Sequence, residues 1–172
     1  MVTERSQNFT DTKFPVDIFW MDIEHALWAE KETPETRDYK WFTFNPHNYT
    51  QTSLSALKTE MEQSKRRLVT IIDPHIKVEE GYFVYDDGLQ LQDSKWEEGD
   101  AKNIYVRDVE GKTLYAEAWP GNSTFMDFLN TNAQEFWINQ CPKFEGTNHL
   151  FYAWNDVNDP CVFNGPLKTM PV

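Results

Sequence analysis

The 172 residues carry 16 Lys and Arg against 28 Asp and Glu, a formal net charge of -12. That is enough chain for one domain with a sizeable core, and too little for a complete (β/α)8 barrel, which takes about 250 residues. The acidity argues against nucleic acid or an anionic membrane as partners, 15% aromatic residues argue against disorder, and no apolar run approaches the roughly 18 residues of a spanning helix.

Residues 16–21 (VDIFWM) form a short apolar, β-branched and aromatic run that ends in Asp22-Ile23-Glu24-His25. Residues 26–45 are a smaller insertion, charged and aromatic by turns. Residues 53–65 place Leu54, Leu57 and Met61 on one helical stripe. Ser53 is the expected N-cap, and Lys65-Arg66-Arg67 fall at the helix C-terminus, where cations suit the dipole. Residues 68–72 (LVTII) are a second apolar run, ending in Asp73-Pro74-His75. The segment 77–122 is long for a βα connection. Within it, 103–107 and 113–118 read as hairpin strands around a turn at 109–112. Residues 123–140 read as a second helix, with Ser123 or Thr124 near its cap. Residues 150–154 (LFYAW) are the third run, ending in Asn155-Asp156. Apolar runs of this length are typical of strands buried on both faces. The order β-α-β-long loop-α-β predicts parallel strands joined by right-handed crossovers.

The two cysteines, Cys141 and Cys161, make no CxxC motif and are too few for a zinc site or a disulfide framework; a bridge between them stays open. Sequons at Asn8, Asn48 and Asn122 give weak support for a secretory compartment. The N-terminal residues MVTERSQN contain no apolar h-region, so no signal peptide is expected, and KTMPV at the other end is no retention tetrapeptide.

All three apolar runs end in carboxylates: Asp22 with Glu24, Asp73, and Asp156 with Asp159. Ligands of parallel α/β sheets bind at the C-terminal strand ends, so three carboxylates there predict one polar site. Any one of them alone reads more simply as a turn former or a cap. A carboxylate cluster admits a divalent-metal site, with His25 and His75 as further ligands, or glycoside hydrolysis by two carboxyl groups. Trp20, Trp119 and Trp154, beside the strand ends or in loops facing them, favour the sugar. Apolar sugar faces stack on rings while carboxylates take the hydroxyls, and a metal needs no rings. His25 and His75 are then expected to assist hydroxyl binding. His47 and His149 carry no signal.

The stretch Trp154-Asn155-Asp156-Val157-Asn158-Asp159-Pro160, with Val162-Phe163-Asn164-Gly165-Pro166 behind it, resembles the nucleophile signature of glycoside hydrolase family 31. Trp20-Met21-Asp22-Ile23-Glu24-His25, Asp73-Pro74-His75-Ile76-Lys77 and Trp119-Pro120-Gly121 fall in that family's order. The resemblance covers about residues 14–172, more loosely in 26–45 and 86–118. It implies an α/β fold: residues 1–172 as part of a (β/α)8 TIM barrel, three or four β/α units not closed within the chain, with a long insertion at 77–122. It also implies retaining hydrolysis of terminal α-linked glucose from oligosaccharides, in the manner of N-glycan trimming. Asp156 matches the nucleophile, and Asp159 supports it where the family usually has Glu. Asp22 matches the carboxylate that binds glucose hydroxyls. Ile76 and Trp119 match pocket-lining positions with Asp73 beside them, and Trp154 and Trp20 complete the substrate-binding set. No cofactor or metal is implied. The implied partners are an oligosaccharide or glycoprotein glycan and a regulatory β subunit, and the implied location is the endoplasmic reticulum lumen. The family's acid/base lies on a later strand, beyond residue 172. The alternative is therefore an inactive truncated remnant or a non-catalytic carbohydrate-binding fragment.

Overall fold

The computed structural model describes residues 2–28, 38–93, 104–144, 151–158 and 161–163. Its central layer is a parallel sheet of β1 (Ile18–Met21), β2 (Arg67–Ile72) and β3 (Phe151–Asn155), in the order β1-β2-β3. These are the three apolar runs. Ile18 to Met21 pair with Arg67 to Thr70, and Leu68 to Ile72 pair with Phe151 to Asn155. Side chains alternate between the two faces of a strand. Phe19, Leu68 and Ile72 therefore share one face, and all three join the core with Leu54, Leu57 and Met61 of the crossover helix. Ile18, Trp20, Val69, Tyr152 and Trp154 share the other. Among the described residues that second face is open at the β1 edge, with Trp20 71% and Ile18 52% exposed, but Ile71 of β2, also on it, is buried at 3%. The expectation of burial on both faces thus holds for the central strand β2 at Ile71 and Ile72, and fails on the outer face of β1.

The crossover helix α2 (Gln51–Ser64) follows a shorter N-terminal helix, α1 (Val2–Asp11). The α2 cap is Thr50, not Ser53: the Thr50 side chain accepts the Ser53 N–H at 3.2 Å. The helix ends on Lys65 in the left-handed conformation (φ 56°), and the Arg66 N–H returns to the Met61 carbonyl. Arg66 then turns away from the helix end it was expected to complement. Its Nη1 donates to the Ser6 carbonyl (2.6 Å), Ser6 Oγ (2.6 Å) and Thr10 Oγ1 (3.0 Å), and its Nε donates to the Val16 carbonyl (3.0 Å). The guanidinium also lies 6.0 Å from the Phe19 ring centre, and Phe9 of α1 packs on Phe19 at 5.9 Å. One buried cation therefore joins α1, the approach to β1 and β2.

The segment 77–122, read as a long loop, contains regular structure. Strands β4 (His75–Lys77), β5 (Tyr115–Ala118) and β6 (Gly121–Phe125) form an antiparallel sheet in the order β4-β6-β5. Helix α3 (Phe83–Asp93) precedes it in space and carries Gly88 against Tyr105, where a Cβ would lie 2.0 Å from the phenol oxygen. The expected hairpin turn is present: Thr113 bridges Arg107, and the Leu114 N–H bonds the Val106 carbonyl. Residue 103 lies outside the described residues. Beyond Leu114 the chain leaves that hairpin and pairs with β6 through a tight turn at Trp119-Pro120. Ser123, Thr124 and Phe125 are therefore strand, not helix. The second helix, α4 (Thr131–Gln140), starts later and is capped by the Asn130 side chain on the Asn132 N–H. Asp127 Oδ1 accepts the Leu129 N–H in the turn that separates strand from helix.

Arg66→Ala would remove the guanidinium bonds to the Ser6 and Val16 carbonyls and to the Ser6 and Thr10 hydroxyls. Loss of charge-assisted bonds of this kind costs about 2–3 kcal/mol, and Arg66→Lys would recover only part, lacking the planar fork. Urea unfolding measures this; a loss below about 0.5 kcal/mol, the usual range of surface changes, would show that the clamp is dispensable.

Candidate active site

Register brings the predicted carboxylates together. Ile72 lies opposite Asn155, so Asp73 and Asp156 leave their strands side by side. Met21 lies opposite Thr70, so Asp22, continuing β1 in extended conformation, is level with Ile71, two residues before Asp73 and on the same face. Neighbouring strands are about 4.8 Å apart, so the three side chains start from one narrow patch on one face of the sheet. Their charges reach one another: the Asp73 carboxyl is pushed up to about 7, first by burial and then by the charges of Asp156 and Asp22.

The three differ in surroundings. Asp22 is exposed, and its Oδ1 accepts the Ile23 N–H at 2.8 Å, capping the short turn Ile23–His25. Asp73 is 1% exposed, and its Oδ1 has no hydrogen-bond partner. Asp156 is half-buried, and the next residue, Val157, has φ 52°. A β-branched residue is strained in that conformation, so the chain turns sharply directly behind the Asp156 carboxylate. Asp159 lies outside the described residues.

Aromatic rings flank the patch. Trp20 and Trp154 stand two residues before Asp22 and Asp156 on the same face, with ring centres 5.5 Å apart. Trp119, in the β5–β6 turn, packs 5.4 Å from the His75 ring and 4.6 Å from Phe163. Ile76 is fully buried in β4. His75 links this second sheet to the first, since its Nδ1 lies 3.8 Å from Asp73 Oδ2. Neither His75 nitrogen has a hydrogen-bond partner, and burial pushes the ring down to about 4, so it is neutral. His25 departs from expectation. It is buried between Phe44 and Phe144 with Nε2 2.8 Å from the Ile71 carbonyl, a core histidine that pins the turn after β1 to β2. Burial lowers its pKa. Among the described residues, no three His, Cys, Asp or Glu side chains are placed to hold a metal ion together, and Cys141 and Cys161 are not joined. Sequence reading placed Asp73 beside the pocket but missed that it is buried next to His75, because burial there depends on β4 folding back over the strand end.

The family described as "Glycosyl hydrolases family 31 TIM-barrel domain" matches residues 1–172. The chain belongs to glycoside hydrolase family 31. It is 33% identical over 171 residues to neutral alpha-glucosidase AB of Homo sapiens, covering 98% of this chain and 16% of that protein. A crystal structure of a glucosidase II alpha subunit with alpha3-Glc2 bound superposes with a TM-score of 0.80 and 32% identity, over 99% of this chain and 16% of that one. The same figures hold for the catalytic subunit in a heterodimeric complex of ER glucosidase II with the binding domain of its regulatory subunit. The chain thus spans about a sixth of the length of these relatives. In family 31 terms, the parallel sheet β1-β2-β3 with its crossovers is part of a (β/α) barrel that does not close within this chain.

Asp73 and His75 make opposite contributions to stability. Asp73 is raised from 3.8 to about 7, so between about pH 4 and 7 it is protonated folded and ionised unfolded, and stability falls as pH rises. His75 is lowered from 6.5 to about 4, so between these values it is neutral folded and protonated unfolded, and stability rises with pH. From about pH 4 to 6.5 each state of the pair holds one proton, and the two dependences cancel. Asp73→Asn should therefore make stability climb across that window, and His75→Phe should make it decline, each by at most about 1.4 kcal/mol per pH unit. Urea unfolding across the window tests this; equal slopes in the two variants would refute it.

Proposed function

We propose that this chain supplies the nucleophile and the glucose-binding end of a retaining α-glucosidase, acting on terminal α-linked glucose of oligosaccharides. Asp156 attacks the anomeric carbon and forms a covalent glycosyl–enzyme intermediate, which water then hydrolyses. A second carboxyl gives a proton to the leaving oxygen and later takes one from the water. Asp22, the exposed carboxylate of the patch, accepts sugar hydroxyls. Trp20 and Trp154 offer ring faces to the apolar side of the sugar, and Trp119, Ile76 and Asp73 border the pocket. Asp159 supports the nucleophile. The observation that carries this reading is the register that sets Asp156 beside Asp73, with Asp22 across β2 and Trp20 and Trp154 on the same face. Likeness to the glucosidase II alpha subunit extends the proposal to N-glycan glucose trimming in the endoplasmic reticulum lumen, with a regulatory subunit as partner.

A 5-fluoroglucosyl fluoride tests the nucleophile, since its leaving group needs little protonation. Mass spectrometry should find the sugar on Asp156. Asp156→Glu moves the carboxylate by about 1 Å and should slow trapping about 100-fold, while Asp156→Asn should abolish it. An adduct on another carboxylate would remove Asp156 from the mechanism. Glucose binding with no adduct at all would favour a non-catalytic carbohydrate-binding role.

A further inference from the structure

Asp73 stands apart from its two neighbours. Asp22 is exposed and Asp156 half-buried, whereas Asp73 is 1% exposed. Its Oδ1 has no hydrogen-bond partner, and His75 Nδ1 lies 3.8 Å from Oδ2, beyond hydrogen-bond reach. Among the described residues, the titratable groups that face it are Asp156 from the end of β3, Asp22 from the end of β1 and His75 from β4. None supplies a positive charge: two are carboxylates, and the histidine is buried with no acceptor to hold a second proton. Lys77, the cation nearest in sequence, is turned to Asp38. An ionised carboxylate in such a place has neither the hydrogen bonds nor the counter-charge that make burial tolerable. Two carboxylates that leave adjacent strands side by side also cannot both ionise without strong repulsion. The low-cost arrangement puts one proton on the pair, and burial chooses its holder, because solvent reaches Asp156 and not Asp73.

We propose that Asp73 is a positioning residue that keeps its proton well above the ordinary carboxylate range, so that the negative charge at the strand ends rests on Asp156. The proposal rests on the reading of Asp156 as nucleophile. It gives a buried acid a task other than protonating the leaving group, for which a side chain 1% exposed is poorly placed. A buried neutral acid beside an ionised one is a known way of dividing charge between two carboxyls in an active site.

The test is a carbon-13 carboxyl NMR titration of the chain labelled at aspartate, with Asp73→Asn and Asp156→Asn beside the parent. One aspartate signal of the parent should stay protonated far above the ordinary carboxylate range and should be missing in Asp73→Asn. In Asp156→Asn that signal should titrate lower by on the order of one unit, because the neighbouring charge is gone. Should Asp73→Asn fail to fold, the comparison of the parent with Asp156→Asn decides alone. Absence of a late-titrating carboxyl, or one unmoved by Asp156→Asn, would overturn the proposal, the second outcome showing that Asp73 is a buried structural acid with no tie to Asp156. The titration needs no turnover, so its result is separate from whether a sugar adduct forms on Asp156.

Discussion

The structure depends on the pairing of β2 with a parallel strand on each side. Parallel ladders fix register along their whole length, and a slip of one residue would move every side chain to the opposite face. Because Ile72 faces Asn155 and Met21 faces Thr70, the first residues beyond the strands are carboxylates on one face, Asp73 and Asp156 at one level and Asp22 two residues earlier. The patch is thus a consequence of backbone hydrogen bonding, with no hydrogen bond among the three side chains holding it together. What stabilises the register is apolar packing on the helix side, where Leu68 and Ile72 meet the α2 stripe, and the Arg66 clamp that fixes α1 and the approach to β1.

Gathering three acids costs free energy, and the surroundings show how the cost is limited. Asp22 stays in water and bonds a backbone N–H. Asp156 remains partly solvated. Asp73 is the one enclosed, by β4 and the Trp119 turn that come from the segment between β2 and α4. Without that segment Asp73 would sit at the open end of the central strand, and burial, the largest cause of its raised pKa, would be gone. The small antiparallel sheet therefore sets the chemistry of the patch as well as closing over it. His75 is the residue through which it acts, since it touches both Asp73 and Trp119.

Much of this was legible in the sequence. The three strands, the crossover helix and the carboxylates at the strand ends follow from apolar runs bounded by Asp, because buried parallel strands need little beyond such runs. The features missed are those decided by contacts distant in sequence. Helix α1 has a weak apolar stripe and is held chiefly by Arg66, 60 residues from Ser6. The helical spacing of Phe125 and Phe128 misled because Phe125 is a strand residue facing a second small core with Leu114 and Ala118, and Asp127 breaks the chain after it. The cap fell at Thr50 because a hydroxyl three residues upstream could reach the Ser53 N–H as well as Ser53 could serve further on. Of the candidate site residues, Trp20 and Trp154 met across β2 as two-residue periodicity requires, whereas the burial of Asp73 and Ile76 needed the second sheet.

An aspartate at a strand end needs no functional explanation when it caps a turn, and the three aspartates here answer that objection differently. Asp22 does cap a turn, so its position is explained in part by local structure, although the bond uses one oxygen and leaves the side chain exposed. Asp73 caps nothing, and its Oδ1 is buried without a partner; a serine, threonine or alanine there would avoid the cost. Asp156 precedes a valine in left-handed conformation, where glycine or asparagine would be easier. Turn formation alone would not select that sequence. Local structure therefore accounts for the least buried of the three and fails for the other two, which are the two set side by side by the register. Two adjacent acids, one enclosed and one open to water behind a strained turn, suit the proposed chemistry, in which attack on a sugar carbon needs a fixed oxygen at the strand end.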